Sequence, residues 1–184
     1  MAPIFYVLSP DYLRLLLHPV IYYSNSGAWP HNYTIHDIGA HYPNATGHDD
    51  GEAQKMPVEE SGNLLALMYL YELASGDTDY KNQFLDMLET YTDYLVENGL
   101  HPDRQYSTDD GAGEAANQTG LAVKSAIGLN AYGVMTNQPK YCDIGRQFAD
   151  VLYNQTLGTD PERTRFTMFQ GEADTWSLQF NFYL

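Results

Sequence analysis

The chain has 184 residues, room for one sizeable hydrophobic core, and an ordinary 43% hydrophobic composition. Twenty-four acids against nine Lys plus Arg leave a net charge of -15, which repels nucleic acid and anionic membranes and excludes both as partners. The single cysteine, Cys142, excludes an internal disulfide, and there is no apolar run of about 18 residues to span a membrane.

The chain opens on MAPIFYVLSPDYLRLLLHPVIYY. This stretch is apolar, but it lacks a basic start, and Asp11, Arg14 and His18 interrupt it, so it reads as folded structure and not as a signal peptide. Ser9 and Pro10 cap the start of a helix predicted over 10–24. A polar segment follows in which His36, His41 and His48 alternate with Asp37, Asp49 and Asp50. The His36-x4-His41 spacing matches no zinc site and the segment has no Cys, so no metal is expected. These side chains are expected to hydrogen-bond one another and fix a long loop, with Trp29 and Tyr42 adding stacking surface.

HDDGEAQKMPVEESGN, residues 48–63, then puts Asp49, Asp50, Glu52, Glu59 and Glu60 directly before a nearly uncharged run, Leu64 to Leu73. That run is apolar on every side, the signature of a helix buried on every side, and predicts an inner helix over 61–75. Ser75-Gly76-Asp77-Thr78 is a short helical-hairpin loop. Tyr80, Phe84, Met87, Leu88, Tyr91, Tyr94 and Leu95 recur at helical spacing and predict an amphipathic helix over 79–98, closed by Gly99 as a left-handed C-terminal residue.

The pattern recurs. A turn-forming stretch, Asp109-Asp110-Gly111-Ala112-Gly113, leads to an apolar inner helix over 118–135 whose only charged residue is Lys124. Asn137-Gln138-Pro139 turns the chain, and Tyr141, Ile144, Phe148, Val151 and Leu152 give an outer helix over 139–155. Glu60-Ser61-Gly62 aligns with Gln118-Thr119-Gly120, and Thr92-Asp93 with Ala149-Asp150. Asp174-Thr175-Trp176-Ser177-Leu178 resembles the opening of a further inner helix. A repeat of buried helix plus amphipathic helix predicts an all-α layered toroid or solenoid. Two complete hairpins and two halves cannot bury their inner faces alone, so residues 1–184 are expected to be a fragment of one such domain.

In a toroid the loops entering the inner helices line one mouth, which brings Thr34 to Asn63, Ser107 to Gln118 and Gln170 to Thr175 together. Glu59, Glu60, Asp109 and Asp110 are therefore the candidate catalytic carboxylates. A carboxyl set against an apolar helix has a raised pKa and suits general acid or base work. The bland alternatives are complementarity to the helix dipole for the glutamates and turn chemistry for the aspartates. Asp37, His41, Asp50, Asn63, Asn117, Lys124, Asp174 and Trp176 are candidate substrate-binding residues. Lys124 is expected either to pair with one of the cavity acids or to bind a substrate carboxylate.

Three blocks carry a family resemblance: HDIGAHYPNATGHDDGEAQKMPVEESGNLLALMYLY, NGLHPDRQYSTDDGAGEAANQTGLAVKSAIGLNAYG and DTWSLQFNFYL. With them the chain resembles the fungal secreted glutaminase A family along essentially its whole length. The resemblance implies a six-hairpin (α/α)6 toroid, here in part, preceded by a signal peptide and a β-rich N-terminal region. It implies hydrolysis of L-glutamine to L-glutamate and ammonia, outside the cell or at the cell wall; no cofactor is expected. Sequons at Asn32, Asn44, Asn117 and Asn154 fit a secreted origin, against the missing signal. Since this fold also hosts glycoside hydrolases, a sugar-cleaving or sugar-binding toroid is the alternative, and an inactive fragment is the third reading.

Overall fold

The computed structural model describes residues 9–39, 56–108 and 113–178. Five α-helices and no strands occur among them, in keeping with the all-α expectation. Helix α1 is Pro10–Asn25, α2 Pro57–Ser75, α3 Leu85–Asn98, α4 Thr119–Met135 and α5 Pro139–Tyr153.

Each helix starts where local chemistry dictates. Ser9 accepts the Tyr12 N–H through its hydroxyl ahead of Pro10. Helix α2 begins at Pro57, four residues ahead of the expected 61, because Pro suits a first helical position and because Gln105 Oε1 accepts the otherwise orphaned Val58 N–H at 3.0 Å. The extension places Glu59 and Glu60 in the first turn of the helix. Helix α2 ends at Gly76, whose φ of +71 is the left-handed value glycine tolerates. The second hairpin arm winds first as a 3-10 turn, Lys81–Phe84, with Lys81 Nζ bonded to Glu72 Oε2 at 2.6 Å across the hairpin.

Gly99 has a different role from the one expected. Its backbone is right-handed, with φ of -82, and a Cβ there would fall 2.5 Å from Ser125 Oγ. Glycine closes α3 here because α4 passes too near for any side chain.

Helices α2 and α4 form the inner layer and pack against each other; α1, α3 and α5 flank them on the outside. The inner pair meets glycine to glycine, so that a Cβ on Gly128 would lie 3.1 Å from Gly62 Cα. Leu65, Met68, Leu88, Leu95, Leu121 and Leu129 fill the core around that crossing. Tyr141 ties α5 to α3 by donating its hydroxyl toward Asp93 Oδ1 at 2.8 Å and Glu89 Oε1 at 3.1 Å.

Among the described residues one flank is left uncovered. A groove of about 850 Å³ runs over α2, α4 and α5, lined by Leu70, Leu73, Ile127, Ala149, Tyr153 and Phe166 among others. On the outer helix of the first hairpin, Leu88, Thr92 and Leu95 are buried. Asp174 to Leu178 is turn and coil, not the opening of a helix. There the Thr175 hydroxyl accepts the N–H groups of Met168 and Phe169, which folds the segment back on the preceding turn.

Candidate functional site

The site grows from the first turn of α2. Glu59 and Glu60 are helix neighbours, about 100° apart around the axis, so they face different surroundings. Glu59 points into the α2–α4 contact and is 1% exposed. Its Oε1 faces Lys124 Nζ at 3.3 Å, and its Oε2 accepts the Thr108 N–H at 3.3 Å. Lys124 comes from the second turn of α4 and is 3% exposed. Burial pulls its ammonium below the usual lysine range, and Glu59 opposes that pull. Lys124 also donates to Asn63 Oδ1 at 2.6 Å.

Glu60 is half-buried, on the other side of this pair. Asn63, one turn on, donates through Nδ2 to Glu60 Oε2 at 3.3 Å. Burial pushes the Glu60 carboxyl up; the Asn63 bond and the charges of His36 and Lys124 pull it back in part, while Glu59 adds to the rise. The result is a continuous polar chain, Thr108–Glu59–Lys124–Asn63–Glu60. One carboxylate is held by a buried cation, and burial raises the pKa of the second.

Glycine makes this chain possible. A Cβ on Gly62 would sit 2.4 Å from Lys124 Cγ and 3.1 Å from its Cδ. The lysine stem therefore lies in a slot along the α2 backbone.

The loops that frame the cluster were legible as acid-rich, but their anchors were not. Ser61 Oγ accepts the Thr34 N–H at 3.1 Å, tying the first loop to α2. Gln105 bonds Val58, Gln118 Nε2 donates to the carbonyls of Gln105 and Ala115, and Ser107 donates to Gln118 Oε1. Gln105 and Ser107 carry no pattern in the sequence that marks them, and the repeat marks Gln118 only as a helix entry. Their part follows only from where two loops meet.

The remaining candidates are spread out. Asp37 accepts the Gly39 N–H at 2.7 Å and shapes its own turn. Asn117 is exposed in a left-handed backbone conformation, φ of +54, with its N–H on Pro102 O and its carbonyl accepting from Gln170. Asp174 is exposed, and Trp176 is 64% exposed. No hydrogen bond or ion pair among the described residues joins Asn117, Asp174 or Trp176 to the Glu59–Lys124 cluster. Trp29 is not a stacking surface: it is buried against Tyr33 and Ile35 and donates Nε1–H to Tyr33 O. His41, Asp50, Asp109 and Asp110 lie outside the described residues; Thr108, which touches Glu59, directly precedes Asp109. No group of three or more His, Cys, Asp or Glu able to hold a metal occurs among the described residues, and no helix there is long and apolar enough to cross a membrane.

Comparison with known proteins adds an independent line. The family described as "Glutaminase A six helical-hairpin domain" matches residues 1–184. Glutaminase A of Aspergillus oryzae (strain ATCC 42149 / RIB 40) is 39% identical over 188 residues, covering 98% of this chain and 27% of the relative. A protein named "Probable glutaminase" in Arthroderma benhamiae (strain ATCC MYA-4681 / CBS 112371) is 33% identical over 190 residues, covering 73% of this chain and 22% of the relative. The chain thus spans about a quarter of the length of these relatives. No solved structure matches it.

Proposed function

The chain belongs to the glutaminase A six helical-hairpin family, and from that premise we propose that it forms part of a site hydrolysing L-glutamine to L-glutamate and ammonia. The observation that carries the reading is the division between two adjacent glutamates. Glu59 is neutralised by Lys124, while burial favours the protonated form of Glu60.

Amide hydrolysis needs a base to take a proton from the attacking water and an acid to protonate the leaving nitrogen. Glu60 supplies the acid. Its proton passes to the amide nitrogen as the C–N bond breaks and ammonia leaves; water supplies the new C–O bond. The opposing carboxylate is assigned to Asp109 or Asp110, which directly follow in sequence Thr108, whose N–H bonds Glu59. Lys124 is not assigned to the substrate's α-carboxylate, because Glu59 balances its charge, Asn63 takes one of its donors, and it is buried. The further hairpins, the β-rich N-terminal region and the extracellular or cell-wall setting of the family belong to this proposal.

The test is a graft. Residues 1–184 replace the matching stretch of the Aspergillus oryzae glutaminase A, and ammonia release from glutamine is measured beside reducing-sugar release from glycosides. We expect ammonia and no sugar. Glu60→Gln in the graft should lower kcat by about 10²–10⁴, the usual worth of a general acid. Full turnover with Gln at that position sinks the assignment.

A further inference from the structure

The acid at Glu60 is only useful if its proton faces the substrate and is not consumed within the protein. The side chain beside it, Asn63, threatens that. An asparagine amide can present either its NH2 or its carbonyl to a neighbour, and the two ends are nearly the same shape. With the carbonyl turned toward Glu60, a protonated carboxyl would donate to it and lock its proton in an internal bond.

The structure prevents this. Lys124 Nζ lies 2.6 Å from Asn63 Oδ1. An ammonium has donors and no acceptor, so only the carbonyl end of the amide can face it. The NH2 end must then face Glu60, and it does, at 3.3 Å from Oε2. The lysine cannot swing away. Its stem is confined by the Gly62 slot, and its head is held by Glu59 at 3.3 Å.

We propose that Lys124 is a positioning residue for Glu60, acting through Asn63. By taking the amide carbonyl it turns the NH2 onto Glu60 Oε2, which keeps the proton on Oε1 and free for the reaction. Its use in catalysis rests on the glutaminase reading; the relay itself does not. The charged groups that bear on Glu60 among the described residues are His36 from the preceding loop, Glu59 from α2 and Lys124 from α4. The test must separate the amide from those charges.

The experiment uses the 184-residue chain with ¹³C-labelled glutamate and follows the Glu60 carboxyl through a pH titration, its signal assigned by its loss in Glu60→Gln. Asn63→Ala removes the donor to the carboxylate, so the Glu60 midpoint should move up. The same substitution is then made in Glu59→Gln/Lys124→Met, which deletes the ion pair without leaving one charge buried. There the amide is free to turn and accept from protonated Glu60, so removing it should leave the midpoint unmoved or lower it. An equal upward movement in both backgrounds shows that Lys124 does not orient Asn63 and overturns the proposal. So does the absence of any movement when Asn63 is replaced in the parent chain. If the doubly substituted chain does not fold, Glu59→Gln/Lys124→Leu, which deletes the same ion pair with another apolar side chain, supplies the second background and is read in the same way. Because the titration needs no turnover, a graft that releases no ammonia would defeat the glutaminase reading and leave the relay to stand or fall by these shifts.

Discussion

Replacing Lys124 by Met strips the ammonium from a carboxylate that has almost nowhere else to turn. The paired side chains are 4% and 1% exposed, so water neither screens their attraction nor rescues the partner left behind. After the substitution Glu59 keeps the Thr108 N–H at 3.3 Å, and Asn63 Oδ1 loses its bond from the lysine. Breaking a buried pair from one side costs about 3–5 kcal/mol, because it leaves an uncompensated buried charge. That is a large share of the ~5–15 kcal/mol that holds a domain together. For a chain of this size it corresponds to a fall in Tm of about 6–20 °C. Glu59→Gln/Lys124→Met removes both charges and should recover most of the loss, to within about 2 kcal/mol of the parent. Urea unfolding followed by circular dichroism, with the slope unchanged among variants, measures both. The reasoning is wrong if Lys124→Met stays within about 1 kcal/mol of the parent, or if the double variant costs the sum of the singles.

Three further outcomes are expected. Gly62→Ala gains about 1 kcal/mol of helix propensity but puts a Cβ 2.4 Å from Lys124 Cγ, so the net change by urea unfolding should be a loss of about 1–2 kcal/mol; a stabilised variant would remove the slot from the argument. Burial raises the Glu60 pKa above its ordinary 4.5, so its contribution to stability is full below that value and is lost as pH rises through the folded-state pKa. Glu60→Gln should therefore match the parent in Tm at about pH 4 and exceed it at about pH 8; a difference that does not change with pH would contradict the burial account. The open groove should make the isolated chain associate, and Tyr153→Asp, on its 46% exposed rim, should weaken that association; sedimentation showing a monomer at every concentration would refute it.

What the sequence determined by itself was periodicity and composition. Leu64 to Leu73 and Leu121 to Val134 are apolar on every side, which can only mean inner helices, and the stepped pattern from Tyr80 to Leu95 can only mean an outer one. Those signals are local, so the sequence carries them complete. The boundaries were less secure. Helix α2 reaches back to Pro57 because Gln105, 47 residues on, satisfies Val58, and no window along the chain contains both. Gly99 was recognised as the end of its helix, for a reason that lies in the approach of Ser125.

The site shows the same division. Acids crowded before an apolar helix, and one lysine within another, marked Glu59, Glu60 and Lys124. Their distinct roles were decided by tertiary structure. Which glutamate meets the lysine depends on the rotation of α2 against α4, and that is set by the Gly62–Gly128 contact. A charge is neutralised, or a proton retained, according to what lies within a few ångströms. In this chain those neighbours come from positions 60 or so residues apart, as with Lys124 and Asn63.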